Sequence, residues 1–270
     1  MLRILPYLFL TAAFAQQENE LYIAPVQPTP EPTEVNLRIV FPRNNELFVN
    51  QPINAQLKLE GYPIGTMSQF NRAKELYNDP QGQNIHVIID DRPYNEVTIS
   101  LEDSFDENRI FNDKIFSFTI PFQNMPNLSR GMHVMRVFPA RSFEESLKGP
   151  GAFDAVVFYV GQRHPRLNID LSKPFLTYNQ PQGIYSKGDA NPILLDFIVK
   201  NCRLSADGYK VKLTIDGKEI SKLIYPIPYY IYNLSKGKHA IRLDLLDEKN
   251  EVVKEVNGLF NSVERLIEIQ

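Results

Sequence analysis

The chain has 270 residues, 43% of them hydrophobic, and a formal net charge of −3 with both signs interspersed. Such a balance argues against a nucleic-acid partner or an anionic membrane surface. A single cysteine, Cys202, excludes an intrachain disulfide framework, so stability must come from ordinary cores. The length suggests about two domains, and 20 Pro, 17 Phe and 13 Tyr against 13 Gly and no Trp suit β structure better than helix.

Residues 1–15, "MLRILPYLFLTAAFA", read as a secretory signal. Arg3 gives the basic start, an apolar run extends from Ile4 to about Phe14, and Ala13 and Ala15 sit as A-x-A before the cut. The run is too short to span a bilayer, and nothing later in the sequence resembles a membrane helix. The mature protein is therefore expected to be exported, periplasmic or secreted, with no transmembrane anchor after cleavage. Residues 16–34 contain "APVQPTPEPTE", a polar, proline-rich tract expected to be an extended, semi-rigid tether. The competing expectation is an ordered arm lying on the first domain.

From Val35 the pattern changes to short alternating or fully apolar runs separated by turn formers. "VNLRIVF", "INAQLKL", "NIHVIID", "FSFTIPF", "MHVMRVF" and "AVVFYV" fall in residues 35–162. "LNIDL", "ILLDFIV", "YKVKLTID", "YYIYNL", "HAIRLDLL" and "VERLIEI" fall in residues 163–270. Strands at this spacing predict an all-β architecture of sandwiches rather than a parallel α/β fold. Only Gln69–Tyr77, "QFNRAKELY", looks helical.

The two series align. "GQNIHVIIDDR" matches "GYKVKLTIDGK", placing Ile85, Val87 and Ile89 on Val211, Leu213 and Ile215, one face of a strand in each copy. A hairpin signal follows, and then a near-repeat, "NLSRGMH" (Asn127–His133) and "NLSKGKH" (Asn233–His239). After the motif, His239, Ile241, Leu243 and Leu245 share an inward register while Arg242 and Asp244 point outward. The chain is thus read as a tandem duplication of one β module, the first copy carrying an extra tract, "PYNEVTISLEDSFDENRIFNDK". The strand order and "LSKGKHAIRLDLLDEKNEVV" resemble bacterial immunoglobulin-like domains, in which Leu-x-x-Gly-x-aromatic or His opens the sixth strand. That resemblance implies two immunoglobulin-like β-sandwich domains in tandem, after the signal and the tether. In the first copy the Asp-rich turn after the sixth strand is expected to be replaced by a long loop.

The repeated motif admits three readings. Asn127 and Asn233 are formal N-glycosylation acceptors, and His133 and His239 could each be half of a metal site. The reading that accounts for every residue is structural: Leu128 and Leu234 anchor the loop, Gly131 and Gly237 supply a positive φ, and each His bonds back to the backbone. His86, on the outward face of its strand, and His164, between the modules, are expected in solvent. Cys202 is expected to be a buried small apolar residue. Adjacent acids at Glu144 and Glu145, Asp90 and Asp91, and Glu102 and Asp103 are expected to keep loops wet. No nucleophile elbow or phosphate-cradling glycine loop is present in the sequence, so neither an enzyme nor a cofactor or metal is expected.

Two stretches read as binding surfaces. The loop Pro139–Phe153 sets Arg141, Glu144, Glu145 and Lys148 beside Phe143 at a sandwich end, either as a recognition surface or as a salt-bridged lid. In "YPIPYYIYNL", Tyr230 and Tyr232 share one strand face and could stack on a sugar or anchor a protein, or pack against the neighbouring domain. The expected function is a non-enzymatic binding or structural protein of the cell envelope, its partner a protein or glycan. The alternatives are a pilus-type periplasmic chaperone, for which "AFDAVVFYV" would be the long apolar strand, and a carbohydrate-binding accessory module.

Overall fold

A computed structural model describes residues 20–98, 114–163, 169–186, 188–254 and 261–270. The signal segment, most of the extra tract with Glu102 and Asp103, and His164 lie outside the described residues. No helix among the described residues is long and apolar enough to cross a membrane.

The chain opens with β1 (Tyr22–Pro25). There follow β2 (Asn36–Phe41), β3 (Glu46–Phe48), β4 (Ile53–Glu60), β5 (Asn84–Ile89), β6 (Asn95–Val97), β7 (Lys114–Ile120), β8 (Gly131–Ala140) and β9 (Asp154–Val160). These form a sandwich of a three-stranded sheet, β2-β4-β7, and a five-stranded sheet, β3-β9-β8-β5-β6. Then come β10 (Phe175–Gln180), β11 (Gly183–Tyr185), β12 (Ile193–Lys200), β13 (Lys210–Ile215), β14 (Lys218–Leu223), β15 (Tyr229–Tyr232), β16 (Gly237–Leu246) and β17 (Ser262–Ile269). They repeat the plan as β10-β12-β15 and β11-β17-β16-β13-β14. In both copies a short strand pairs in parallel with the last one, β3 with β9 and β11 with β17. The fold is all-β, two immunoglobulin-like sandwiches whose first strand is split between the sheets.

Alternation drives each core. Along β4, Ile53, Ala55, Leu57 and Leu59 are buried and the residues between them are not. They meet Ile85, Val87 and Ile89 of β5, and in the second copy Val211, Leu213 and Ile215 meet Ile241, Leu243 and Leu245. Each such side chain contributes about 1.5–3 kcal/mol by leaving water.

Four strands break the alternation: β5 and β10 are buried along their whole length, as are nearly all of β8 and β12. The outer face of the first five-stranded sheet lies against the second sandwich, so these strands are covered on both sides. Val134, Val157 and Tyr159 pack on Ile169 and Phe175, and Ile88 and Phe138 on Ile198. Arg136 of β8 crosses this seam, donating to the Leu176 carbonyl at 3.1 Å and to Asp91 at 2.7 Å. Arg265 of β17 donates to the Tyr178 and Asn179 carbonyls at 2.7 and 2.6 Å and to that of Arg92 at 3.3 Å. Asp91 is thus part of the seam rather than a loop-wetting acid.

Three expectations are corrected. The segment 16–34 is not a free tether: Thr29, Pro30 and Glu31 lie on the first domain, as the competing expectation had it, but β1 also pairs antiparallel with β15, adding a fourth strand to the second sandwich. Edge-strand backbone groups seek partners, and prolines beyond the paired residues stop the strand without preventing it. Next, Gln69–Tyr77 yields only a 3₁₀ turn, Asn71–Lys74. Finally, the turn after the sixth strand is kept in both copies. Arg141 N–H donates to the Glu145 carbonyl and Asp247 N–H to that of Glu251, both at 2.9 Å. The bridges Ala140–Ser146 and Leu246–Val252 close the two turns alike. The left-handed position holds Asn250 at φ 63° in one copy and Glu144 at φ 67° in the other. A glutamate there disguises the turn in the sequence.

Candidate binding cleft between the two sandwiches

The repeated motif is a structural corner. His133 places Nδ1 2.9 Å from the Asp90 carboxylate and Nε2 2.8 Å from the Ser129 carbonyl. His239 repeats this with Asp216 at 2.7 Å and Ser235 at 2.8 Å. Asp90 and Asp216 are left-handed residues of the hairpins after β5 and β13, and each also accepts a backbone N–H from the strand carrying the His. The imidazole therefore ties hairpin, loop and sixth strand together. Burial pulls the His133 pKa down, but the hydrogen bond to Asp90 and its charge outweigh burial and the net shift is upward. For Asp216, burial raises the carboxyl pKa and the bonds from His239 and Ala240 N–H reverse it, for a net lowering. Leu128 is buried and Leu234 half-buried against its core, and Gly131 and Gly237 have φ of 132° and 124°.

The loop after β8 faces inward. Arg141, Phe143, Glu144 and Glu145 are all buried and Lys148 is nearly so. Arg141 stacks over Phe70 and donates to the Pro30 carbonyl at 2.5 Å. Glu145 pairs with Arg72 and accepts from the N–H and hydroxyl of Thr29, both at 3.1 Å. Burial raises the Glu145 pKa, with Arg72 opposing. Lys148 reaches Asp196 of β12 at 2.5 Å, and Ser146 donates its hydroxyl to the same carboxylate at 2.5 Å. Glu31 accepts the Lys148 and Gly149 N–H groups at 2.6 and 2.5 Å. The proline-rich segment is thus a strap across this loop, and the loop is a lid bonded to both sandwiches rather than an open recognition surface.

Of the paired tyrosines, Tyr230 is covered and Tyr232 is half-buried. Tyr230 is 3% exposed and donates to Glu75 at 2.9 Å, while Tyr232 stacks on Tyr22 of β1 with centroids 4.6 Å apart. The apolar strand β9 is paired on both sides, with β3 and β8.

The loop's Glu144 also lines a cleft. Between the sandwiches lies a cleft of about 670 Å³, walled by Tyr94 and Glu96 of the first, Gln180 and Tyr185 of the second, and Phe143 and Glu144 of the loop. At its back His86 is 0% exposed, with Nδ1 2.7 Å from Asn179 Oδ1 and Nε2 2.8 Å from Glu144 Oε2. The Tyr94 ring lies flat on the imidazole at 3.6 Å, and its hydroxyl donates to Glu144 Oε2 at 3.0 Å. Asn179 Nδ2 donates to the Glu144 carbonyl and to Asp196 at 2.7 and 2.8 Å, which turns its Oδ1 toward His86 and assigns a proton to Nδ1. His86 is outward from its own sandwich, as the alternation requires, but the second sandwich replaces the solvent it was expected to meet.

Glu96 sits directly opposite His86 across the β5–β6 hairpin. Part of it reaches water, yet the cleft walls crowd its carboxyl. That desolvation, the Glu144 charge and a hydrogen bond with Asp79 push its pKa up to about 7. Among the described residues the charged groups lining the cleft are Glu96, Glu144 and Asp189, all acidic, and Ile184 and Leu266 stand exposed at its rim. Of the lining residues, Phe143 and Glu144 were singled out from the sequence as candidates. His86 and Glu96 were detectable as the facing pair of a hairpin, but Asn179, Asp196 and Tyr185 come from the other module.

No family model matches the chain, and no curated protein matches its sequence. Similar solved structures are distant. The fibronectin(III)-like modules of CbhA from Clostridium thermocellum are 11% identical over 87% of this chain and 94% of theirs, with a TM-score of 0.27. The two tandem V-type regions of VCBP3, a v-region-containing chitin binding protein, are 11% identical over 87% and 99%, with a TM-score of 0.23. SGBP-B of Bacteroides ovatus, solved with a mixed-linkage heptasaccharide, is 12% identical over 87% of this chain and 47% of that one, at 0.19. The fold described above rests on its own strand order.

Proposed function

We propose that this is an exported, non-enzymatic binding protein of the cell envelope, and that its partner is held in the cleft between the two sandwiches. The observation that carries this reading is the cleft itself: about 670 Å³, within the range that takes a ligand or a few side chains, with walls from both modules. Its acidic lining and apolar rim favour a partner with positive charge beside aliphatic surface, such as a protein segment bearing lysine or arginine. His86 and Glu144 are a dyad in appearance only, since both imidazole nitrogens are already bonded and the ring is sealed from solvent. That supports binding over catalysis.

The pilus-chaperone reading has less support, because β9 pairs with β8 on one side and its last three residues pair with β3 on the other. A sugar platform on Tyr230 and Tyr232 together has less support, because Tyr230 is buried and bonded to Glu75 and Tyr232 already stacks on Tyr22. Cross-linking and capture from envelope extracts tests the proposal. Ile184→Arg and Leu266→Arg change exposed rim residues and should leave the fold intact while abolishing capture of whatever the wild type retains. Equal recovery by wild type and both variants would remove the cleft from consideration.

A further inference from the structure

We propose that His86, Glu96 and Glu144 bind a single divalent transition-metal ion, zinc or manganese in class, at the closed end of the cleft. One imidazole nitrogen and two carboxylates offer ligand atoms that all lie within 4.8 Å of one another. A separate observation points to a missing partner. Glu144 is only 7% exposed and lines the cleft, yet its Oε1 accepts no hydrogen bond from the described residues while Oε2 accepts from Tyr94 and contacts His86. A buried carboxylate oxygen with no donor costs free energy that a cation would recover.

The supporting shell suits a ligating histidine. A metal-bound imidazole usually gives its other N–H to an oxygen acceptor, which fixes tautomer and ring plane. Here Nδ1–H is directed at Asn179 Oδ1, and the Asn179 amide is itself held by Asp196 and the Glu144 carbonyl. Tyr94 stacks on the ring and prevents it from turning. A metal would take the place of the proton now shared between Nε2 and Glu144. Tetrahedral ligands at zinc stand about 3.3 Å apart, so His86 Nε2 and Glu144 Oε2, now 2.8 Å apart, would open slightly while the more distant ligand atoms, within 4.8 Å, would close. Glu96 is the exposed middle residue of β6, facing His86 across the hairpin, and its carboxyl would exchange its hydrogen bond with Asp79 for the metal.

Mixed nitrogen and oxygen ligation favours zinc or manganese over calcium and magnesium, which prefer all-oxygen shells. Three protein ligands leave a fourth position facing the cleft, where a partner's carboxylate, imidazole or carbonyl could complete the shell. The site thus deepens the proposed binding role, and the ligand-completing part of it rests on that reading.

The experiment is calorimetric titration of the chelator-stripped full chain with zinc chloride and with manganese chloride, paired with the absorption spectrum of the cobalt-loaded protein. The expected result is one ion per chain and a cobalt band in the visible, with affinity weakened at least about tenfold by Glu96→Gln and abolished by Glu144→Gln. Glu96→Gln touches a partly exposed side chain and should melt as the wild type does, so its result stands even if Glu144→Gln misfolds. No binding, or binding unchanged by Glu96→Gln, overturns the site. Binding that survives Glu96→Gln but is lost in His133→Ala or His239→Ala overturns it too and moves the metal to the corners. Capture that persists without metal and is lost in Ile184→Arg would leave the cleft reading standing while the metal role falls. Metal binding with capture indifferent to both rim variants would do the reverse.

Discussion

The two five-stranded sheets are copies, yet their outer faces have opposite fates. In the second copy that face carries Lys212 and Arg242, both partly exposed, over a buried Asp244 that they contact at 3.0 and 2.8 Å. Burial would raise the Asp244 pKa, but hydrogen bonds from Ser262, Arg242 and Lys212 lower it overall. In the first copy the matching positions are His86, Arg136 and Phe138, all at or below 1% exposure. One module faces water and the other faces its twin, so the duplicated protein gains a seam that a single module lacks. The turn after the sixth strand follows the same split. Asn250 sits at the left-handed position of one copy as a residue suited to it, whereas Glu144 sits there in the other with a carboxylate reaching the cleft. Strained positions of this kind persist where the surroundings over-determine them.

The largest test of that contrast is Asp196→Ala. It removes a fully buried carboxylate that holds Lys148 and Ser146 across the seam and Asn179 within the second sandwich. Breaking a buried pair of this sort should cost about 3–5 kcal/mol, read from urea unfolding; a loss below that of an ordinary surface change would mean the seam contributes little. Next come the corners. His133→Ala and His239→Ala should each cost about 1–3 kcal/mol, since each deletes two ring hydrogen bonds.

The His133 contribution also depends on pH. Its folded pKa is raised, so its stabilisation is complete below the ordinary imidazole value of about 6.5 and fades as pH rises through the higher folded value. The gap in melting temperature between wild type and His133→Ala should therefore narrow from acid to alkaline buffer, and a gap that widens would contradict the assigned corner. Smaller is Asn250→Glu, which gives the second copy the residue of the first without its seam. A cost of about 1 kcal/mol is expected from left-handed strain alone, and a neutral result would show that Glu144 needs no compensation. Smallest is Tyr22→Ala, which deletes the ring stacked on Tyr232 and should cost about 0.5–1.5 kcal/mol, with faster proteolysis of the N-terminal strap as the sensitive readout.

Much of each module was legible in the sequence because it depends on local chemistry. Period-two alternation assigned the inward faces of β4, β13 and β16, and the Asn-Leu-Ser-basic-Gly-X-His repeat marked both corners, down to a histidine bonding back to the backbone. It supplied no sign that the ring's other nitrogen would meet Asp90 or Asp216, because those residues lie a hairpin away. The candidate loop was recognised but its direction was not. Arg141, Glu145 and Lys148 have the composition of a wet surface, and they are buried only because Pro30, Thr29, Arg72 and Asp196 arrive from distant parts of the chain.

The sequence by itself determined the all-β class, the duplication, the inward register of each strand and the corner that closes each module. All of these follow from side-chain alternation and turn chemistry within a few tens of residues. Only the tertiary structure decided that the first sheet's outer face would be dry, that the proline-rich segment would become a strand of the far sandwich, and that His86, Glu96 and Glu144 would gather beside a cleft. Those outcomes depend on how one module docks on another, and a face that looks outward from its own core carries no local mark of whether water or protein will cover it.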